Sequence, residues 1–153
     1  MKGNRILCLL LALVLTLSGC AAAAATAREE DNSQLYYLVR DLEKAAGGDA
    51  LGTERSALPK ESDDTLQTQV EALMNALLAG PGDGGLASPF PEGTRLLGVE
   101  LRGSHAKVDL SSHYRSLSGI SLTLADYCIT LTLTQLSAIR SVSILVRAQE
   151  LSY

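Results

Sequence analysis

The sequence predicts an α+β fold, a small mixed sheet with two helices packed on one face, in the order β-α-β-β-α-β. Three observations carry this. Leu66, Val70, Leu73 and Leu77 recur at spacings of four, three and four, one face of a helix, and Gly80-Pro81 ends it. Leu97–Leu110 alternates apolar and polar residues around Gly103-Ser104, the pattern of a β-hairpin. Val142, Ile144 and Val146 alternate with Ser141, Ser143 and Arg147, a final half-buried strand.

Taken in order, Leu35–Val39 (LYYLV) is a first strand, rich in aromatic and branched residues. Arg40–Asp64 is punctuated by Gly47-Gly48 and Gly52; Asp41–Ala46 suits a helical turn and Ser56–Lys60 a short edge segment. The first helix runs from about Thr65 to Ala79, with Asp64 as its N-cap and Gln67 completing a capping-box-like pair. Gly82-Asp83-Gly84-Gly85 is rich enough in glycine to suggest a phosphate cradle. The context excludes one, because no Lys-Ser/Thr follows and the loop leaves a helix rather than opening one. Pro89-Phe90-Pro91 keeps the backbone extended into a strand beginning near Arg95.

In the hairpin, central residues Gly103-Ser104 set Leu101 opposite Ala106, Val99 opposite Val108 and Leu97 opposite Leu110. That face is apolar throughout. On the other face Glu100 lies opposite Lys107, a cross-strand pair worth ~0.2–1 kcal/mol. Asp109 shares that outer face, and Glu100, Lys107 and Asp109 together make a candidate interaction surface. Ser121–Leu136 carries two patterns. Ile129–Leu133 alternates like a strand, but Leu122, Ala125, Ile129, Leu133 and Leu136 share a helical stripe, and the segment is long for a strand. Helix is the reading adopted. Two helices on one face would leave Glu100, Lys107 and Ser143 outside.

The N-terminus reads as an address. Lys2 and Arg5 precede a twelve-residue apolar run, Ile6–Leu17, too short to span a bilayer but suited to a signal peptide. It ends in Leu17-Ser18-Gly19-Cys20, which looks like a bacterial lipobox, with the Cys20 thiol as the atom that would receive a diacylglyceryl group. An uncleaved anchor over Ile6–Ala27 is the alternative; both attach the chain to a membrane. The organisation expected is a leader over 1–19, a lipidated Cys20 and tether over 20–34, a domain over 35–147 and a short tail over 148–153. Loss of Lys2 and Arg5 takes the formal charge from −4 to about −6. An acidic surface argues against nucleic acid and against electrostatic docking on anionic lipid.

Little in the sequence points to chemistry. Cys8 leaves with the leader and Cys20 is acylated, so Cys128 has no partner for an internal disulfide and reads as a small buried apolar residue. His105 and His113 flank a strand without the further ligands a metal needs, and neither a metal nor a cofactor is expected. Ser111-Ser112-His113 contains nucleophile and base types, but sequence neighbours rarely meet in triad geometry. Asp63-Asp64 suits a helix start better than an acid–base pair. No arrangement amounts to an enzyme.

Four segments in order — LYYLV, VEALMNALLAGP, PEGTRLLGVELRGSHAKVDLSS and TLTQLSAIRSVSILV — resemble the GerMN domain of bacterial sporulation and germination lipoproteins. The likeness covers about Leu35–Val146. Its most specific parts are the helix ending in Gly80-Pro81, the Pro91-Glu92-Gly93-Thr94 turn, the Val108–Ser111 strand end and Thr132–Leu136. The resemblance implies a small module similar to ring-building domains of envelope complexes, with no catalytic residues to carry over. It implies a place outside the cytoplasmic membrane, attachment through lipid on Cys20, and sporulation or envelope proteins as partners, self-association among them. One copy is present where some members carry two. A second reading, a lipoprotein binding a small ligand or cell-wall fragment, would use the Gly-rich loop and Arg40–Asp64.

Overall fold

The computed structural model describes residues 32–41, 49–57 and 65–151. The leader, Cys20, the tether up to residue 31, Asp63-Asp64 and most of the Asp41–Ala46 turn lie outside them. The described strands form two sheets: a three-stranded one ordered β2-β1-β3 and a four-stranded mixed one ordered β4-β5-β6-β7. Both helices pack between them, which keeps the α+β class and adds a sheet to the expected one.

β1 (Asn32–Val39) buries Leu35 and Tyr37 on alternate positions. It pairs antiparallel with β2 (Leu51–Ala57), from Asn32 opposite Ala57 to Leu38 opposite Leu51. β2 is an edge strand that begins before the segment expected at Ser56–Lys60 and takes in Ser56 and Ala57, the rest of that segment lying outside the described residues; Gly52 sits flat against Leu86 and Val39, where a Cβ would come within 2.6 Å and 3.3 Å of their side chains. β3 (Leu86–Ala87) covers only Leu38 and Val39 on the opposite edge.

The first helix, α1 (Leu66–Ala79), buries Val70, Leu73, Met74 and Leu77, the stripe read from the sequence. Its N-cap is Thr65 rather than Asp64: Thr65 Oγ1 accepts from Thr68 N at 3.3 Å. Gln67 is therefore no capping-box partner. It donates to Glu71 Oε1 at 2.6 Å and to Val99 O at 2.8 Å, tying the helix to the second sheet. Gly80 closes the helix at φ 90°, a left-handed angle that glycine adopts without Cβ conflict.

β4 (Leu96–Arg102) and β5 (His105–Leu110) form the hairpin. Leu101 faces Ala106, Val99 faces Val108 and Glu100 faces Lys107, as the register required. The outermost pair differs. A bulge between Leu96 and Gly98 places Leu96 opposite Leu110, and Leu97 turns outward, 54 % exposed. Gly98, without a side chain to pack, gives the bulge room. Gly103 at φ 61° supplies the positive first angle of a type II′ turn.

After a short 3₁₀ turn (Ser112–Ser116), the second helix, α2 (Gly119–Thr134), buries Leu122, Ala125, Cys128, Ile129, Thr132 and Leu133. Helix therefore prevails over strand in this segment. α2 is the crossover that lets β6 (Ser141–Val146) run parallel to β5, from His105 opposite Ser141 to Leu110 opposite Val146. A two-residue turn, Arg147-Ala148, then brings back β7 (Gln149–Glu150), so part of the expected tail is a strand.

The core is aliphatic with two exceptions that composition did not suggest. Tyr37 and Tyr114 are the largest fully buried side chains, and each finds a partner for its hydroxyl. Tyr37 Oη donates to Ala76 O at 3.2 Å, and Tyr114 Oη donates to Asp126 Oδ1 at 2.5 Å.

Candidate functional site: the outer face of the second helix

The polar groups singled out by sequence are, in the fold, mostly engaged with one another. Ser111 and His113 do meet, contrary to expectation, with Ser111 Oγ 3.3 Å from His113 Nδ1. The same hydroxyl accepts from Arg95 N at 3.0 Å and lies 3.3 Å from Gly93 O. Ser111 is buried beneath the Pro91–Thr94 turn, whose Thr94 N and Oγ1 both donate to Pro91 O, at 3.1 Å and 2.7 Å. The pair thus fastens that turn to the end of β5. Among the described residues no carboxylate hydrogen-bonds to His113. At the other end of β5, His105 Nδ1 lies 2.8 Å from Ser141 Oγ, joining β5 to β6.

The Gly-rich loop holds an anion of the chain's own. Glu54 Oε2, reaching from β2, accepts from Gly82 N at 2.9 Å and Asp83 N at 3.1 Å. Asp83 Oδ1 takes Gly85 N at 2.8 Å. Successive backbone donors in such a turn form an anion-binding concavity, and here a carboxylate fills it.

On the outer sheet face, Glu100 Oε1 accepts from Arg102 Nε at 2.7 Å, and that bond holds the Glu100 carboxyl below the usual carboxylate range. Lys107 stands opposite Glu100, as expected. Asp109 is not simply solvated: its Oδ1 accepts from Ala148 N at 2.9 Å and fixes the β6–β7 turn. Cys128 is fully buried, and burial pushes its thiol up to about 12, away from thiolate chemistry. Among the described residues no group of three or more His, Cys, Asp or Glu gathers as a metal would need, and no described helix is long and apolar enough to cross a membrane.

A stripe along α2 faces away from the core. Ile120, Thr123, Tyr127 and Thr130 fall at i, i+3, i+7 and i+10, the face opposite the buried one. Ile120 is 72 % exposed and Tyr127 56 %. Two adjoining cavities border this stripe. One of about 280 Å³ lies between Asp126 and Thr130 of α2 and Val142–Ile144 of β6. The other, about 310 Å³, continues over Thr123 and Tyr127. Sequence reasoning passed over this face. Its signal was that Gly119–Thr134 is apolar nearly all round, more so than one buried face requires, with Ile120 and Tyr127 seven residues apart off the buried stripe.

The element order, the capped first helix, the bulged hairpin and the parallel last strand define a GerMN-type α+β module. The Germane family model, described as sporulation and spore germination, matches residues 34–152, so the chain belongs to that family. No curated protein matches the chain. Solved structures similar to it include a protein of Clostridium perfringens described as a lipoprotein, at 22 % identity and TM-score 0.50, covering 78 % of this chain and 76 % of that one. The tandem GerMN domains of the sporulation protein GerM from Bacillus subtilis align at 22 % identity and TM-score 0.57, over 78 % of this chain and 40 % of that chain. The first GerMN domain of the same protein aligns at 20 % identity and TM-score 0.53, over 77 % and 85 %. These likenesses establish the fold.

Proposed function

We propose that the chain is a lipid-anchored module on the outer face of a bacterial cytoplasmic membrane, where it binds other proteins of a sporulation, germination or envelope complex and performs no chemistry of its own. The observation that carries this reading is the division of labour among side chains. Ser111, His113, Glu54, Asp83 and Asp109 are occupied in holding turns and loops, whereas Ile120 and Tyr127 stand exposed on a helix face, uncovered by any described residue. Exposed apolar side chains beside a groove suit an interaction surface. The Gly-rich loop, the alternative place for a small ligand, has its amides taken by Glu54.

Membership of a sporulation and germination family agrees with a place outside the membrane, and the Leu17–Cys20 lipobox supplies the attachment. Two acyl chains hold a protein stably where one binds marginally, so a diacylglyceryl Cys20 would suffice without a basic surface. Palmitate should label the chain and fail to label Cys20→Ser; label retained by that variant would refute lipidation at this residue. Cross-linking in intact membranes should yield specific heteromeric adducts. Recovery of uncrosslinked monomer alone would refute the interaction reading.

A further inference from the structure

The outer face of α2 carries both halves of a helix-packing joint. The cavity of about 310 Å³ is lined by Thr123, Asp126, Tyr127 and Thr130, positions i, i+3, i+4 and i+7 of one helix. Four residues so spaced form the hole that receives a side chain from a facing helix. Ile120, three residues before the first of them, is a projecting side chain of the kind such a hole takes, and no described residue covers it.

A helix cannot fill its own hole, but a second copy running antiparallel can. With 3.6 residues per turn, Ile120 falls to one side of the line through Thr123 and Tyr127, and the centre of the hole falls to the other. A two-fold axis beside Thr123 exchanges these two places, so each Ile120 enters the hole of the other copy at the same time. Every contact is then made twice, as in an isologous interface. The same operation lays Tyr127 over Gly119 and Ile120 of the second copy, where the glycine has no side chain to obstruct the ring.

Charge favours the same occupant. Asp126 is the one charged residue in Gly119–Thr134, and its carboxylate accepts from the buried Tyr114 hydroxyl at 2.5 Å. Two copies of a chain of net charge −4 repel each other, and least where uncharged faces meet. Ile120, Thr123, Tyr127 and Thr130 offer no counter-charge to a strongly basic or acidic partner.

We propose that α2 docks a second copy of this chain as an antiparallel, two-fold helix pair, with each Ile120 seated among Thr123, Asp126, Tyr127 and Thr130 of the other copy. This rests on the reading of that helix face as an interaction surface and names its occupant.

The test uses the full-length chain in detergent micelles. Sedimentation should show a monomer–dimer equilibrium whose dissociation constant rises roughly tenfold in Ile120→Asp and in Tyr127→Asp. Both positions are exposed, and an unchanged circular dichroism spectrum shows that each variant folds. A residue beside a two-fold axis meets its own counterpart, so Thr123→Cys should form a disulfide-linked dimer on mild oxidation, faster than Ser104→Cys in the exposed hairpin turn. A chain that stays monomeric, a dimer unaffected by both aspartate variants, or Thr123→Cys coupling no faster than Ser104→Cys would each overturn the proposal. Heteromeric membrane cross-links that Tyr127→Asp abolishes, from a chain that forms no dimer, would keep the interaction surface and remove the second copy as its occupant. A chain that gives neither dimer nor cross-link fails both readings.

Discussion

The side-chain amide of Gln135 makes with Gln34 both hydrogen bonds that a neighbouring strand would make. Gln34 N donates to Gln135 Oε1 at 2.7 Å, and Gln135 Nε2 donates to Gln34 O at 2.6 Å. Two residues along β1, Tyr36 N donates to Thr132 Oγ1 at 3.2 Å. β3 covers only the last two residues of this edge, and side chains from the end of α2 take the edge groups of Gln34 and Tyr36. Side-chain groups thus stand in for a neighbouring strand along the middle of this edge.

The two contacts should differ in cost because they differ in access to water. Gln34 and Gln135 are exposed, so water can replace the amide; Gln135→Ala should lose about 1 kcal/mol. Thr132 is fully buried, and Thr132→Val keeps its shape while leaving Tyr36 N without its acceptor. That change should cost about 1–3 kcal/mol, the penalty of an unsatisfied buried donor. Urea titrations of the two variants measure both values. Gln135→Ala should in addition raise concentration-dependent self-association, seen by sedimentation, since it uncovers a strand edge.

Alkaline pH should unfold the protein through two buried groups. Burial, with a smaller contribution from Glu54, raises the Tyr37 hydroxyl from 10.0 to about 12, and burial raises the Cys128 thiol from 9.0 to about 12. Both folded-state values lie above the unfolded ones, so the unfolded chain releases protons first. The stabilisation is whole below about pH 9 and is lost as pH rises towards 12. The slope should approach about 1.4 kcal/mol per pH unit for each group once its unfolded form has ionised. Cys128→Ala should move the alkaline midpoint upward relative to stability at neutral pH. Tyr37→Phe should do the same, and should also cost about 1 kcal/mol at neutral pH by removing the donor to Ala76 O near the end of α1.

The sequence made legible those features whose causes are local. The α1 stripe, the centre of the hairpin and the alternation of β6 follow from side-chain period and from one turn residue, Gly103. β2 was illegible because LGTERSA has few strand-forming residues; its place depends on β1 and on the flat approach of Gly52 to Leu86. The filling of the Gly-rich loop by Glu54 and the cover of β1 by Gln135 join residues far apart in sequence, beyond any local pattern. The candidate face was half visible. Ile120 and Tyr127 are plain in the sequence, but their exposure follows from which face of α2 packs on the core.

The hairpin bulge reverses the roles of two leucines. An unbulged register buries Leu97 against Leu110, so that Leu97→Ser would cost as much as any core truncation. The observed register exposes Leu97 and buries Leu110 completely. Leu97→Ser should therefore change stability by no more than about 0.5 kcal/mol, and Leu110→Ala should cost about 2–5 kcal/mol. Comparable losses in thermal or urea unfolding for the two would return the hairpin to the unbulged register.

The turn after β6 is stabilised from outside. Arg147 and Ala148 adopt φ 52° and 59°, the pair of positive angles of a type I′ turn, for which Asn-Gly is the favourable sequence. Each left-handed residue with a Cβ costs about 1–2 kcal/mol, so three contacts from neighbouring elements must oppose that cost. Arg147 N donates to Leu110 O at 3.1 Å, Ala148 N to Asp109 Oδ1 at 2.9 Å, and Arg115 Nη2 to Val146 O at 3.1 Å. Ala148→Gly removes the Cβ conflict and keeps the amide, so it should raise stability by about 1 kcal/mol. Asp109→Ala removes the acceptor and should lower stability by about 1 kcal/mol, with faster exchange at the Ala148 amide. The double variant should recover most of the loss, because a glycine at 148 holds the turn without the carboxylate. Failure of Ala148→Gly to compensate would mean that Asp109 acts through the outer sheet face and Lys107 rather than through the turn.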